Sequence, residues 1–320
     1  MRRTAFHESP LLDRRQLLQA GLAAGAAMLL PLPLRADEER PDGEDAIDAH
    51  VHVWTPDTDR YPLAAGFTVA DMQPRSFTPE QLFEHCRPCG VARIVLIQMS
   101  FYGFDNSYML HSMRAHPGTF SGVAVIDEEA DDVASTMRSL KERGVRGFRI
   151  RPGDRPVETW LDGDGMAAMW KCGAEEGLAM CHLINPDSLP LVDAMCRKHP
   201  DTPVVIDHFA RIGVGGDIPE GDLNRLCELA QHKQTSVKVS AFYALGAKRA
   251  PYTDLGPMIR RLLDAYGPER LMWATDCPYQ VDPGHNYRDS IDLIRERLDF
   301  LSAGDKEWLL GKTAERVFFG

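Results

Sequence analysis

Eight short runs of apolar, mostly β-branched residues recur along this chain, and helical patterns separate most of them. The runs begin near Ala46, Ala92, Phe120, Val145, Leu178, Pro203, Thr235 and Arg270. A strand and a helix repeated eight times within roughly 270 residues are typical of a (β/α)8 barrel, the TIM-barrel form of the α/β class. This repetition therefore predicts one barrel domain over residues 46–320.

An open, doubly wound sheet is the alternative that the same alternation allows. That fold needs a glycine-rich phosphate loop directly after the first strand. The first run is followed instead by "TPDTDRYPLAAG", and the Gly213–Gly216 segment comes after the sixth run without the full fingerprint. The barrel is the better prediction.

The N-terminal segment does not belong to the barrel pattern. Arg14 and Arg15 precede an Ala/Gly/Leu-rich stretch that ends near Leu34. A twin arginine followed by a mildly apolar stretch is typical of a bacterial export signal. We expect residues 1–36 to be such a twin-arginine signal and the mature protein to be periplasmic.

The alternative for this segment is an uncleaved membrane anchor, because the apolar stretch is almost long enough to span a bilayer. Gln19, Pro31 and Pro33 argue against a spanning helix. Residues 37–45 ("DEERPDGED") are polar and rich in charge, which predicts a linker. After processing we expect no stable membrane insertion.

Charge and cysteine usage exclude several classes of partner and fold. The net charge is −11, and loss of residues 1–36 makes it more negative because that segment holds five arginines and only two acidic residues. Such a protein repels nucleic acid and anionic lipid, so a small molecule is the expected partner. The seven cysteines are scattered and odd in number, which favours buried thiols over a disulfide framework.

The segment "AIDAHVHVW" places three polar side chains in an apolar run. Strict alternation along a strand would put Asp48, His50 and His52 on one face, and two imidazoles two residues apart can converge on one metal ion. His182, His208 and Asp276 follow at the ends of the fifth, sixth and eighth runs. Barrel active sites form where the carboxyl ends of the strands meet, so we expect these side chains to share one site.

These motifs resemble the amidohydrolase superfamily. The residues that carry the resemblance are Asp-Ala-His-Val-His in the first run, His182, Asp207-His208 and Thr275-Asp276-Cys-Pro278. The segments "FYGFDNSYML", "GVAVID", "GVRGFRIRP", "VKVSAFY" and "LLGKTAERVF" extend it over residues 46–320. Within the superfamily the chain is similar to the amidohydrolase-related branch of sugar-lactone and pyrone-dicarboxylate lactonases and metal-dependent decarboxylases.

The resemblance implies a divalent metal surrounded by His50, His52, His182 and Asp276, with His208 beside it as a polarising or proton-transfer group. Three imidazoles and one carboxylate suit zinc and leave room for a water molecule whose pKa the metal lowers. The strand-four positions hold Arg149 and Arg151, which cannot form the carbamylated lysine that bridges two metals in some relatives. At most one ion is expected, and some lactonases of this branch work without metal.

Cationic and polar residues near the strand ends are candidates for binding substrate. Arg151 is the better candidate for a bidentate contact with a substrate carboxylate. Internal ion pairing is the alternative for Lys238 and an equal alternative for Arg149. Asn106 and Tyr102, after the second run, could add hydrogen bonds or could serve only the loop.

The sequence therefore predicts a hydrolase that opens a small, anionic cyclic ester. Asp276 would act as the general base or hold the metal-bound water, and His208 would stabilise the developing oxyanion. A metal-dependent decarboxylase on the same residues is the first alternative. A metal-loaded binding barrel without turnover is the second.

Overall fold

The computed structural model describes residues 46–153 and 155–320. Eight parallel strands form one sheet in the chain order β1 to β8. The strands are β1 (Ala46–Val51), β2 (Val91–Ile97), β3 (Phe120–Ala124), β4 (Val145–Ile150), β5 (Ala179–His182), β6 (Val204–Ile206), β7 (Thr235–Val239) and β8 (Leu271–Trp273). The predicted barrel is confirmed, and each strand begins within one residue of its predicted start.

Helices lie between the strands and cover the outside of the sheet. They are α1 (Pro79–Cys86), α2 (Ser107–Ala115), α3 (Val133–Glu142), α4 (Asp164–Glu176), α5 (Leu189–Lys198), α6 (Glu220–Glu228), α7 (Gly256–Tyr266), α8 (Tyr287–Asp292), α9 (Ala303–Glu307) and α10 (Thr313–Phe318). Local signals set several ends: α1 begins at a Thr78 capping box followed by Pro79, and α4 ends at left-handed Gly177. The strands and helices thus alternate in the order predicted from the sequence.

The inside of the barrel is filled by small and medium apolar side chains. Ile47, Val95, Val123, Cys181 and Met272 belong to one buried cluster that also contains Phe318 of α10. A separate, larger apolar cluster lies between strands and helices. In such a barrel the active site forms where the strand ends open into loops.

The sheet closes between β1 and β8 by a few hydrogen bonds rather than by a long ladder. The Asp276 N–H donates to the His50 carbonyl (2.9 Å), and the His52 N–H donates to the Cys277 carbonyl (2.8 Å). The closure lies at the carboxyl ends of both strands. It therefore sets the backbone of three predicted site residues against one another.

Strict alternation predicted that Asp48 shares a face with His50, and the structure shows that it does not. The pairing of β1 with β2 shifts between Asp48 and Val51, which inserts one extra residue and reverses the alternation. Asp48 instead accepts hydrogen bonds from the Thr275 N–H (2.9 Å), the Thr275 hydroxyl (2.5 Å) and the Tyr287 hydroxyl (2.7 Å) on the helix side. Burial raises the pKa of Asp48 to about 6.

The predicted signal (residues 1–36) and linker (residues 37–45) lie outside the described residues. Within the described ranges, no helix combines the length and the apolar character that a bilayer span requires.

Candidate functional site

Two histidines and one aspartate meet at the carboxyl end of the barrel. His50 is the next-to-last residue of β1 and His52 follows that strand, while Asp276 follows β8 across the closure. The Nε2 atoms of His50 and His52 are 3.3 Å apart, and they lie 3.5 and 3.3 Å from Asp276 Oδ1. All three residues are buried.

This triangle fits a metal ion. Ligand atoms about 2.1 Å from a tetrahedral zinc ion lie ~3.4 Å from one another, which is the spacing of these three atoms. Asp276 Oδ1 is buried and has no hydrogen-bond partner within the described part of the chain. A buried carboxylate oxygen in this condition is unfavourable unless an ion or a water molecule binds it. His50, His52 and Asp276 are therefore the residues that would hold a metal.

The hydrogen bonds of each imidazole orient it toward the triangle. His52 Nδ1 donates to the Ile97 carbonyl (2.9 Å), which leaves a lone pair on Nε2. His50 Nδ1 faces the ion pair of Asp207 and Lys238, at 3.5 Å from Asp207 Oδ1 and 3.1 Å from Lys238 Nζ. Burial lowers the pKa of His50 well below its usual value, and the Lys238 charge lowers it further.

Tyr243 positions the carboxylate of Asp276. The tyrosine hydroxyl donates to Asp276 Oδ2 at 2.7 Å, so the other oxygen, Oδ1, is the one directed at the two histidines. Burial opposes ionisation of Asp276, but His208, His52 and His50 outweigh it and lower the pKa of this carboxyl. Asp276 is thus a carboxylate at neutral pH. Sequence reasoning missed Tyr243, although the "VKVSAFY" segment that carries part of the family resemblance contains it.

His208 lies beside the triangle. Its ring centre is 4.3 Å from that of His50, and its Nε2 is 3.8 Å from Asp276 Oδ2. Ser240 Oγ, 2.8 Å from Nδ1, fixes the ring. Burial lowers the pKa of His208 to about 4, so this imidazole is neutral at pH 7.

Left-handed backbone brings these side chains to the strand ends. His208, Ala241 and Asp276 have φ values of 50°, 58° and 69°, and the turn His208–Arg211 stays left-handed throughout. Residues other than glycine rarely adopt this conformation, and it concentrates at functional sites. These residues lie two or three positions after the ends of β6, β7 and β8. The left-handed backbone therefore changes the direction of the chain at the point where His208 and Asp276 enter the site.

His182 lies outside this site, which corrects the prediction that it is a fourth metal ligand. Ala179 and Cys181 of β5 point into the barrel, so His182 has the outward phase and packs against Trp160 and Trp170. Neither of its ring nitrogens has a hydrogen-bond partner among residues 46–153 and 155–320. Burial lowers its pKa to about 4.

Lys238 is also not a substrate-binding residue. It is fully buried inside the barrel, where its ammonium group lies 3.0 Å from Asp207 Oδ1 and stacks over Phe318. A buried ammonium group needs a carboxylate partner, and Asp207 is that partner. Internal ion pairing, the alternative considered for Lys238, is what the structure shows.

Asn106 and Tyr102 form hydrogen bonds with loop residues. The Asn106 side chain donates to the carbonyls of Phe104 and Val125 and accepts from the Val125 N–H. The Tyr102 hydroxyl accepts from the Thr55 N–H at 3.3 Å, and the ring is buried. The hydrogen bonds that the structure shows for these two side chains thus lie within the loops, and their role as substrate contacts stays a prediction.

A cavity of 230 Å³ opens directly above the triangle. Its charged and polar lining includes His52, His208 and Asp276 together with Arg149 and Arg211. Arg149 lies 3.9 Å from Asp207, and its buried Nε has no hydrogen-bond partner in the described ranges. We call this space the catalytic cavity. Sequence reasoning missed Arg211, which ends the left-handed turn after β6.

A second cavity of 690 Å³ lies next to the first. Arg149 and Ser100 line both, so the two spaces meet at these residues. The predicted substrate-binding residue Arg151 is exposed and lines only this larger space, which we call the outer cavity. Arg149 is therefore the strand-four arginine at the catalytic cavity.

Comparisons with known proteins found a matching family and several relatives. The model of the family described as Amidohydrolase matches residues 47–320. The L-fucono-1,5-lactonase of Burkholderia ambifaria is 27% identical over 243 residues, which cover 75% of this chain and 82% of that protein. The 2-pyrone-4,6-dicarboxylate hydrolase of Comamonas testosteroni is 27% identical over 248 residues, which cover 73% of this chain and 77% of that protein.

A solved structure has the same fold. An amidohydrolase from Burkholderia multivorans with bound zinc superposes with a TM-score of 0.72 at 23% identity, covering 86% of this chain and 99% of that one. At this identity the likeness shows the barrel and its topology.

Proposed function

Because this chain belongs to the amidohydrolase family, we propose that it is a hydrolase that opens a small anionic lactone. The observation that carries the proposal is the Asp276 carboxylate, whose Oδ1 is buried without a hydrogen-bond partner in the described residues, between two imidazoles at the floor of a cavity. Such an oxygen is placed to accept a proton from a water molecule. The relatives named for lactone and pyrone hydrolysis support the same reaction class.

The charges around the catalytic cavity indicate the substrate. Arg149 and Arg211 face Asp276, which is the only carboxylate in the described lining. Two guanidinium groups attract an anion and can bind a carboxylate through paired hydrogen bonds. A ring that carries a carboxylate would be held at Arg149 with its ester carbonyl over the triangle.

Asp276 begins the reaction as general base. It takes a proton from the attacking water, and Tyr243 holds the carboxylate in the required orientation throughout. The water oxygen adds to the ester carbonyl carbon. As the ring carbon–oxygen bond breaks, Asp276 returns the proton to the departing ring oxygen, and the new carboxylic acid ionises to release one proton to solvent.

His208 stabilises the negative charge that develops on the carbonyl oxygen. In the tautomer that this role requires, the Ser240 hydroxyl donates to Nδ1, which places the ring proton on Nε2 toward the cavity. The low pKa of His208 keeps the ring neutral, so it donates a hydrogen bond and keeps its proton.

We propose zinc as the ion that His50, His52 and Asp276 would hold. When bound, zinc lowers the pKa of a coordinated water and polarises the ester carbonyl. The spacing of the three ligand atoms and the zinc-bound structural relative support this assignment.

The test is a panel of carboxylated and neutral lactones, assayed with a pH indicator before and after dialysis against a chelator. We expect one proton per ring opened, a preference for carboxylated lactones, and loss of activity on chelation that zinc restores. Carbon dioxide release without ring opening would identify a decarboxylase instead. Stoichiometric zinc with no turnover on any substrate would identify a binding barrel.

We also propose that the protein is exported to the periplasm by the twin-arginine route. Arg14 and Arg15, followed by the apolar stretch to Leu34, support this proposal. Replacing both arginines with lysine should leave the precursor in the cytoplasm on fractionation. Normal export of that double variant would refute the assignment, and a full-length product in the membrane fraction would indicate an anchor.

A further inference from the structure

We propose that the substrate carries an apolar, aryl-sized substituent, which the outer cavity binds while its carboxylated ring lies in the catalytic cavity. This inference rests on the proposed function and extends it. It follows from the sizes of the two cavities, from the residues at which they meet, and from the side chains that line the outer one.

The sizes of the cavities differ threefold. Pockets that hold drug-sized ligands measure ~300–1,000 Å³, so 690 Å³ falls within that range and 230 Å³ falls below it. The catalytic cavity is large enough for a small ring only. A substrate that filled both would need a second group beyond Arg149.

The lining of the outer cavity favours an uncharged group. Its described residues include three arginines and three carboxylates, and one pair of them, Arg155 and Glu128, forms an ion pair at 2.5 Å. These described charges balance, in contrast to the described lining of the catalytic cavity, where two arginines face one carboxylate. Ile126, Ile150 and Met169 add apolar surface.

Two exposed aromatic side chains flank this space. Phe67, in the loop after β1, is 37% exposed, and Phe104, in the loop after β2, is 57% exposed. Both line the outer cavity. Large apolar side chains exposed together at the mouth of a cavity mark a binding surface, and aromatic rings favour stacking on another ring.

The connection between the cavities places the substituent. Arg149 lines both spaces, and its Nε is buried without a hydrogen-bond partner in the described chain. A carboxylate bound there would stand at the junction. A substituent on the ring beside that carboxylate would then extend into the outer cavity, toward Phe67 and Phe104.

The experiment compares two unreactive carboxylates by calorimetry, benzoate and 2-phenylbenzoate, which differ by one ring beside the carboxylate. We expect 2-phenylbenzoate to bind at least about tenfold more tightly, since the second ring leaves water for an apolar surface. Phe67→Ala combined with Phe104→Ala should reduce this advantage to about twofold. Val69→Ala is the matched control, because Val69 is 45% exposed in the same loop and does not line the cavity.

Arg149→Met shows whether the probes occupy the proposed place, and it should weaken both by a similar factor. Equal affinities of the wild type for the two probes would overturn the proposal. So would an advantage of 2-phenylbenzoate that survives the double substitution, or probe affinities that Arg149→Met leaves unchanged. The measurement needs no turnover. If the protein opens no lactone yet shows the expected binding pattern, the proposed reaction is refuted while the proposed role of the outer cavity stands.

Discussion

His182 and His208 are both buried, both stand at the carboxyl end of a strand, and both have pKa values that burial lowers to about 4. Their surroundings are nevertheless opposite. His208 leaves β6 in a left-handed turn and enters the site, where it contacts His50 and Ser240. His182 ends β5 in regular strand phase and points outward, between Trp160 and Trp170.

The difference teaches that a strand-end position alone does not make a histidine functional. The direction of the side chain decides, and the local backbone sets that direction. His208 has a serine partner and a neighbouring carboxylate, so its ring is oriented for chemistry. His182 packs against two tryptophans, and its ring nitrogens have no hydrogen-bond partner among the described residues.

The largest expected effect on kcat comes from substitution of Asp276, and it sets the scale for the two histidine variants. Asp276→Asn removes the proton acceptor and a metal ligand, and should lower kcat by about 10⁴-fold. Circular dichroism and the melting temperature should show that the fold is retained. A variant that keeps more than about a tenth of wild-type kcat would mean that another group is the base.

His208→Gln should lower kcat by about 10²- to 10³-fold, which is typical for the loss of one hydrogen bond to an oxyanion. His182→Gln is the matched control and should change kcat by less than about threefold in protein that remains folded. Steady-state kinetics on one lactone measures both. Similar losses of kcat in the two variants would mean that His208 has no catalytic role that His182 lacks.

Metal affinity gives a third comparison. His52→Ala removes one of three ligands and should weaken zinc binding at least about hundredfold, whereas His182→Ala should retain the wild-type stoichiometry. Equilibrium dialysis followed by elemental analysis measures the bound ion without reference to turnover. Loss of zinc from His182→Ala in folded protein would restore the prediction that His182 is a ligand.

The smallest expected effect is on acid stability. The pKa of His182 is about 4 in the folded protein against an ordinary value of 6.5, so below pH 6.5 the unfolded chain binds a proton that the folded chain does not. Stability must therefore fall as the pH falls from 6.5 toward 4, by about 2 kcal/mol at pH 5.

His182→Leu should remove that part of the acid dependence. Urea unfolding at pH 7, 6 and 5 measures the free energy of unfolding for both proteins. Parallel pH profiles for wild type and variant would show that His182 is not the titrating group.

The sequence by itself determined the barrel, because a period-2 apolar run and a 3.6-residue helical pattern are local properties that can be counted along the chain. It also identified His50, His52, His208 and Asp276, since polar residues in apolar strand ends stand out in the same count. What it could not supply was the side-chain direction at points where the alternation breaks. The extra residue in β1 turned Asp48 outward and His50 inward, and left-handed turns brought His208 and Asp276 into the site.

Only the tertiary structure decided which cations face a substrate. The sequence favoured Arg151 over Arg149 and Lys238, yet Arg149 lines the catalytic cavity, Arg151 is exposed at the outer cavity and Lys238 is buried in an ion pair with Asp207. Tyr243 and Arg211 reach the site from the turns after β7 and β6. The physical reason is that strand and helix follow from neighbours along the chain, whereas burial, ion pairing and cavity lining depend on residues of other strands and loops, such as Lys238 with Asp207 and Tyr243 with Asp276.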